Sequence, residues 1–519
     1  MQLQKTFKTE LSKEDILAYI SNYEAKEVPH LNDLWEYYKG KNVAISYRKK
    51  TDNNNPDAKV IISYGRKIVN TYTGYGYRPK YITYKPNIKK TEEEIVQTEL
   101  QEHIGQEKIE PIEKIFVNEI QSIYNLNNEH IKTNRMGRNI AIFGLSYEIL
   151  YIDSELEITN DNLPIKAIPK FFTVDPREMI VLYDYSPEPK IIIGIRYYKI
   201  NDDEYKVEVY YKNRIERYIR YREKANGLIS EWKLKQDIKP IEFNFYKDVP
   251  IIACYRGDEI QSIMENVLTI IDSYDVLMSD SMNEFDRFAF AYLIMKRINL
   301  TNPIDKKDPV KSNQALKDLK RRRIFEGLDK DADVRFLTKD IPTAFIEYMA
   351  KKLKEEIHSQ SHVPDFTQLT GALSGAAIDR LLFDFENLVS SDEADFDTAL
   401  IRRGSLITDL LIRLNQLPPN SDFATMINIQ HKRNLPLDKN NYAIMAVQLV
   451  NAGFSRRMIV SQMPEDMVPD VEQELEEEKM EQESLTGGLT NEDLTEYDEQ
   501  GNPITDQFGN PLDNQIEGE

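Results

Sequence analysis

Cysteine is nearly missing from this chain: Cys254 is the only one in 519 residues. That excludes an intramolecular disulfide and a cysteine-rich zinc site, and it fits a reducing compartment. Long apolar runs are missing too. "FAFAYLIM" (288–295) is among the longest, against the roughly 20 residues a bilayer span needs. The opening "MQLQKTFKTELSKEDI" has no apolar stretch of the secretory kind. Phosphate-cradling G-x-x-x-x-G-K-[ST] does not occur, and "TGYGYRP" lacks the third glycine of a dinucleotide loop. "GALSGA" places its serine one position late for a nucleophile elbow. His358 and His362 have helical metal spacing, but beyond Asp365 or Glu355 no third ligand is evident. No catalytic residue, metal or cofactor is therefore expected.

Charge is present but unevenly spread. The formal net charge is −20, yet residues 465–519 carry nineteen acidic residues and the single Lys479, so nearly all the excess is a tail. With few aromatics, residues 481–519 are expected to be disordered. "DEQGNPIT" and "DQFGNPLD" form a small turn repeat there, and Gly509 at the twelfth position excludes a calcium loop. Residues 355–401 hold one cation, Arg380, against ten carboxylates. By contrast, 296–323 holds ten cations and three aspartates, including Lys317, Lys320, Arg321, Arg322 and Arg323. A phosphate grip would look like the second region, and the first looks like its opposite. Solvated helix faces would give the same counts.

The pattern predicts an α+β chain. Ser12 and Asp15 resemble a capping box with Asp in place of Glu. Helices are expected in 31–42, 58–75 and 92–143, and strands in "SYEILYID", "KFFTV", "EMIVLYDY", "KIIIGIRYYKI" and "EYKVEVYYKNRIERYIRY". Asn201-Asp202-Asp203 marks a hairpin. Tyrosines here fit strand filler better than a base-stacking platform. From Asp258 the spacing becomes helical through Ile260, Ile263, Met264, Val267, Ile271, Tyr274, Met278, Met282, Phe285 and Phe288, predicting one helix of about 55–60 Å. A second helix starts near Pro342 and stops before Pro364, and a third follows Ser374 with Leu381, Phe385 and Leu388 on one face. "NAGFSRRMIVSQM" could pass for helix-turn-helix, but the acidic tail behind it argues against DNA.

Several stretches, in order, carry a resemblance: "YYKGKNVAISYR" (37–48), "SYGRKIVNTYTGYGYRPKYI" (63–82), 249–295, "GLDKDADVRFLTKDIP" (327–342), "VPDFTQLTGALSGAAI" (363–378) and 454–478. Together they resemble the portal proteins of tailed bacteriophages, in the family found in siphophages of Gram-positive hosts. One departure is Ala372, where many relatives follow the first loop glycine with Asn.

The resemblance implies a portal-type ring subunit, in a ring of about twelve. Its parts would be a wing (1–257), first stem helix (258–298), clip (299–341), second stem helix (342–361), tunnel loop (362–374), long channel-side helix (375–414), crown (415–480) and acidic tail (481–519). It also implies that Val363, Pro364, Asp365, Phe366, Thr367, Gln368, Leu369, Thr370 and Gly371 face DNA in a channel, with Ser374 and Gly375 giving flexibility and a helix start. The clip cations would dock partners: the terminase large subunit, then a head-completion adaptor. Other implied partners are the major capsid and scaffolding proteins and a double-stranded DNA held without sequence specificity, at the capsid vertex of a virion assembled in the host bacterial cytoplasm; no membrane is involved. The alternatives are a non-viral homo-oligomeric scaffold and a DNA-processing enzyme.

Overall fold

The computed structural model describes residues 3–48, 56–87, 111–152, 168–225, 228–289, 292–296, 333–337, 343–366, 375–433 and 439–463, with scattered positions to 480. Helix α1 (Lys13–Lys26) opens on the reciprocal capping box: Asp15 N–H donates to Ser12 Oγ at 3.2 Å and Ser12 N–H to Asp15 Oδ2 at 3.1 Å. Helices α2 (Val28–Lys39) and α3 (Tyr64–Gly76) follow. Gly40 ends α2 at φ +80°, a left-handed cap that favours glycine. The helix expected at 58–75 thus begins only at Tyr64, because 56–63 is extended. Strand β2 (Ile82–Pro86) and helices α4 (Ile112–Leu126) and α5 (Glu129–Phe143) lead into the sheet region.

Strand β1 (Gln4–Lys5) lies parallel to β5 (Met179–Tyr183). From there an antiparallel meander runs through β6 (Ile191–Lys199), β7 (Glu204–Tyr210), β8 (Arg214–Ala225) and β9 (Leu228–Phe243), giving the order β1-β5-β6-β7-β8-β9. The β6–β7 turn is the Asn201–Asp203 hairpin, where Asp203 N–H donates to Asn201 Oδ1 at 3.0 Å. A second sheet orders β10 (Ile251–Tyr255), β3 (Leu145–Ile152) and β4 (Pro169–Val174). Where the sheets meet, a side chain at Gly194 would collide with Ile251 Cδ1, so glycine lets them close.

Helix α6 (Leu268–Ala289) is followed by the pair β11 (Tyr292–Lys296) and β12 (Asp333–Leu337), then α7 (Thr343–Ser361), α8 (Gly375–Arg413) and β13 (Ile427–His431), which pairs with β2. One correction concerns these helices. The forty-residue helix expected from Asp258 is 22 residues long, about 33 Å. Ile260 takes φ +52°, and Ser262 Oγ donates to the Ala141 carbonyl at 3.0 Å, so a tertiary tie delays the helix. α8, expected as a long helix over 375–414, runs 39 residues without interruption, about 58 Å. Gly404 does not break it; that position is where the Phe423 ring lies against the helix.

α8 buries Leu382, Phe385, Val389, Phe396, Leu400, Arg403, Ile407 and Leu410, a three- and four-residue rhythm. Phe385 is on the inner face as expected, but Leu381 is 39% exposed, so the stripe is rotated by one position. Arg403 is fully buried. Its Nη2 donates to Glu129 Oε1 at 2.7 Å and Nη1 to Glu148 Oε2 at 3.2 Å, with the guanidinium over the Phe171 ring. Burial raises the Glu148 pKa against the pull of Arg403. This cluster joins α8 to α5 and β3.

Residues up to Asn434 form one unit, and Leu435–Glu519 a second. In the second, α9 (Lys439–Asn451) and α10 (Arg456–Ser461) are separated by Gly453 at φ +81°, and Ser455 Oγ caps α10 through Met458 N–H. No described helix is long and apolar enough to cross a membrane.

Candidate functional site: the helix pair and the loop root

α6 buries an unexpected stripe. Past Ile271 its buried positions are Asp275, Ser279 and Asn283, one per four residues, while Met282 and Phe285 are 47% and 65% exposed. The polar stripe reads the backbone of the extended segment 56–63. Ala58 N–H donates to Asn283 Oδ1 at 2.7 Å, Val60 N–H to Ser279 Oγ at 3.0 Å, and Ile62 N–H to Asp275 Oδ1 at 2.9 Å. Every second residue of a strap advances about 6.6 Å, close to the roughly 6 Å of four helical residues. The two periods match across the three contacts, so each of these part-buried donors finds an acceptor. Asn42 Nδ2 adds a fourth contact, to Asp275 Oδ2 at 2.8 Å. Burial raises the Asp275 pKa.

At the other end of the helix pair, α7 stops at Ser361 and His362 turns at φ +56°. Val363, Pro364 and Asp365 are buried, and Phe366 is 40% exposed. Asp365 lies between two lysines, 3.3 Å from Lys67 Nζ and 2.6 Å from Lys354 Nζ. His358 sits beside them: its Nδ1 is 2.9 Å from the Val363 carbonyl and its Nε2 3.5 Å from Lys67 Nζ. A carbonyl only accepts, so Nδ1 carries the proton and Nε2 is free to accept from the lysine. Burial pushes the His358 pKa down, which keeps this neutral tautomer. The two histidines do not share one environment: His358 is half-buried and His362 exposed, and no group of three or more potential metal ligands occurs among the described residues. The first three residues proposed to face DNA therefore root the loop in the subunit. Thr367, Gln368, Leu369, Thr370, Gly371 and Ser374 lie outside the described residues, as do Lys317, Lys320 and Arg321–Arg323; Gly375 is the first residue of α8.

The cation-poor window also resolves differently from its sequence count. Glu386 and Glu393 are both held by Arg433; Asp392 by Arg256 Nε at 2.8 Å and the Tyr72 hydroxyl at 2.6 Å; Asp397 by His431 Nε2 at 2.7 Å. Asp395 accepts from Gly257 N–H at 2.9 Å. Glu355 and Glu356 pair with Lys351 and Lys352 one turn earlier. Cations missing from 355–401 arrive partly from distant parts of the chain, Lys67, Arg256 and Arg433, and partly from Lys351, Lys352 and Lys354 just before the window. Six of the window's ten carboxylates thus meet a lysine or arginine, Glu386 and Glu393 sharing one, while Asp395 and Asp397 accept from a backbone amide and a histidine and Asp384 is exposed.

A family model, "Phage portal protein, SPP1 Gp6-like", matches residues 17–487. The chain belongs to that family of phage portal proteins. The portal protein of Bacillus phage SPP1 is 21% identical over 261 residues, covering 48% of this chain and 47% of that protein, so the match spans about half the relative's length. The whole helix-pair and loop-root region, from the strap to Arg433, falls within the family match. In this portal family member, the buried ionic groups just described tie elements to one another.

Proposed function

We propose that this chain is the subunit of a ring of about twelve copies that forms the DNA passage at one capsid vertex, serving genome packaging and ejection. One observation carries the reading beyond family membership. Met282 and Phe285 on α6, Phe345 and Tyr348 on α7 and Phe383 on α8 are each 47–65% exposed. Helices that leave such side chains in water on a lone subunit are suited to neighbouring copies.

In this reading 1–257 is the wing, α6 and α7 the stem, 299–341 the clip, 362–374 the tunnel loop, 375–414 the channel-side helix, and 415–480 the crown. The clip cations dock the terminase large subunit and afterwards the head-completion adaptor, by charge complementarity. Major capsid and scaffolding proteins surround the ring in the virion, after assembly in the host bacterial cytoplasm. The chain itself catalyses nothing.

Duplex DNA slides because the loop offers no cation to hold a phosphate. Twelve copies of one lysine would make a ring of phosphate contacts whose affinities multiply. The loop from Phe366 to Ser374 has no cation, and the carboxylates around it are mostly paired. Contact without grip is the result.

Negative-stain images and native mass of the purified chain test this. Rings with a central hole are expected; monomers or solid clusters refute it. Charge reversal at Arg321–Arg323 is expected to weaken motor or adaptor binding at least tenfold while rings persist.

A further inference from the structure

Where β9 ends, a groove of about 670 Å³ opens between Thr9–Glu10, the β7–β8 turn and the residues after Phe243, with the last turn of α8 at one end. That is the size range of ligand sites. Its floor is apolar, formed by Ile192 and by Phe243, which is 47% exposed. Its rim is cationic. Arg214 is already occupied, donating from Nη2 to Glu10 at 3.0 Å and from Nε to Glu216 at 2.6 Å. Lys247 reaches Asp409 at 3.4 Å with its side chain 70% exposed. Lys212 and Arg413 face no carboxylate among the described residues; Arg413 Nη1 is steered by the Phe245 carbonyl at 2.7 Å.

The walls are pre-set. Asn244 shares its two amide hydrogens among the carbonyls of Tyr211, Lys212 and Asp248, at 3.3, 2.9 and 2.9 Å, and accepts from Tyr246 N–H at 3.1 Å. One side chain therefore ties the turn to the segment after β9, which lowers the ordering cost of binding.

We propose that this groove takes an extended acidic peptide, with one bulky aliphatic or aromatic side chain on Ile192 and Phe243 and flanking carboxylates on Lys212 and Arg413. Charge complementarity selects the acid, and the apolar floor selects a side chain between the acids. A nucleic acid fits less well. The Tyr211 face is covered by the Arg214 guanidinium at 4.6 Å and Tyr246 is 4% exposed, so Phe243 alone could stack a base. The inference does not depend on the ring reading, since the groove is formed within one subunit.

The test is fluorescence anisotropy of the full chain with a labelled peptide of about twelve residues, Asp and Glu flanking a central Phe. Saturable binding is expected. Replacing the acids by Asn and Gln is expected to weaken it at least tenfold, as is Lys212→Glu with Arg413→Glu; both of these side chains are exposed, so circular dichroism stays unchanged. Phe243→Ser is expected to weaken binding by a similar factor. No saturation up to about 1 mM, or affinity indifferent to the charge reversals, overturns the proposal. So does equal competition by an oligonucleotide of matching charge, which would report phosphate binding.

Discussion

Arg433 clamps Glu386 and Glu393, two carboxylates two helical turns apart on α8: its Nε donates to Glu386 Oε2 at 2.7 Å and its Nη2 to Glu393 Oε2 at 2.9 Å. The guanidinium also lies over the Tyr75 ring at 5.6 Å. The clamp binds the residues just after β13 to the middle of the longest helix. Its hydrogen bonds hold the Glu386 pKa at about 2. Unfolded, this carboxyl titrates near 4.5. The native state then binds fewer protons between those values, so the stabilisation is complete above pH 4.5 and is lost as pH falls toward 2.

Arg433→Met is therefore expected to lower stability at pH 7 by about 2–3 kcal/mol, because two carboxylates lose their cation. Glu386 is 38% exposed, so water screens part of the loss. The urea midpoint measures it. The difference between wild type and variant is expected to narrow as pH drops from 4.5 toward 2; a gap that stays constant contradicts the clamp.

Much of the fold was readable because it rests on local rules. The Ser12–Asp15 box, the Asn201–Asp203 turn and the Pro342 and Pro364 bounds of α7 each lie within a few residues of the structure they specify. The misreadings share a cause in distance. Ile260 and Ile263 look helical until the Ala141 carbonyl, more than a hundred positions away, accepts from Ile263 N–H and the Ser262 hydroxyl. β9 reads as polar, with Lys233, Lys235, Lys239 and Pro240, because it ends the sheet order and Pro is tolerated on an edge. The carboxylates of α8 looked unpaired because Arg256 and Arg433 bracket the window from outside it. In α6, Asp275, Ser279 and Asn283 interrupt an apolar reading, and their four-residue spacing was the available clue.

That spacing gives the second prediction. Asn283→Ala leaves Ala58 N–H without its acceptor, a loss of about 1 kcal/mol. Hydrogen exchange at Ala58 is expected to quicken about fivefold. Asp275→Leu strands Ile62 N–H and the Asn42 amide together, so exchange across 58–62 is expected to quicken by a larger factor. Ser273→Ala, on the exposed side of the same helix, serves as control. Equal effects from Ser273 and Asn283 would dissolve the strap.

The third concerns pH at the loop root. His358 faces Lys67, Lys354 and Asp365, with the edge of Tyr64 nearby. Its folded pKa lies below the ordinary 6.5. Just under pH 6.5 the unfolded chain takes up a proton that the native state refuses, so stability falls as pH falls through this window. His358→Asn keeps a donor for the Val363 carbonyl and removes the titration. The urea midpoint of wild type, relative to this variant, is expected to decline between pH 7.5 and 5; a flat or rising difference refutes a buried neutral imidazole.

The last prediction tests passage itself. If friction is low because the loop carries no cation, adding two per subunit changes the ring by about twenty-four charges at nearly one height. Affinity for a polyanion scales with the phosphates neutralised, and each contact steepens the dependence on salt. Thr367→Lys with Gln368→Lys is therefore expected to reduce the DNA packaged per head severalfold at low ionic strength, with recovery as salt rises. Glutamine at both positions separates charge from side-chain length and is expected to package normally. Rings must still form in each variant, which electron microscopy checks directly. Unchanged packaging in the lysine variant would mean that the duplex never comes within a Debye length, about 10 Å in 0.1 M salt, of this loop, and the channel reading of residues 366–374 would fail with it.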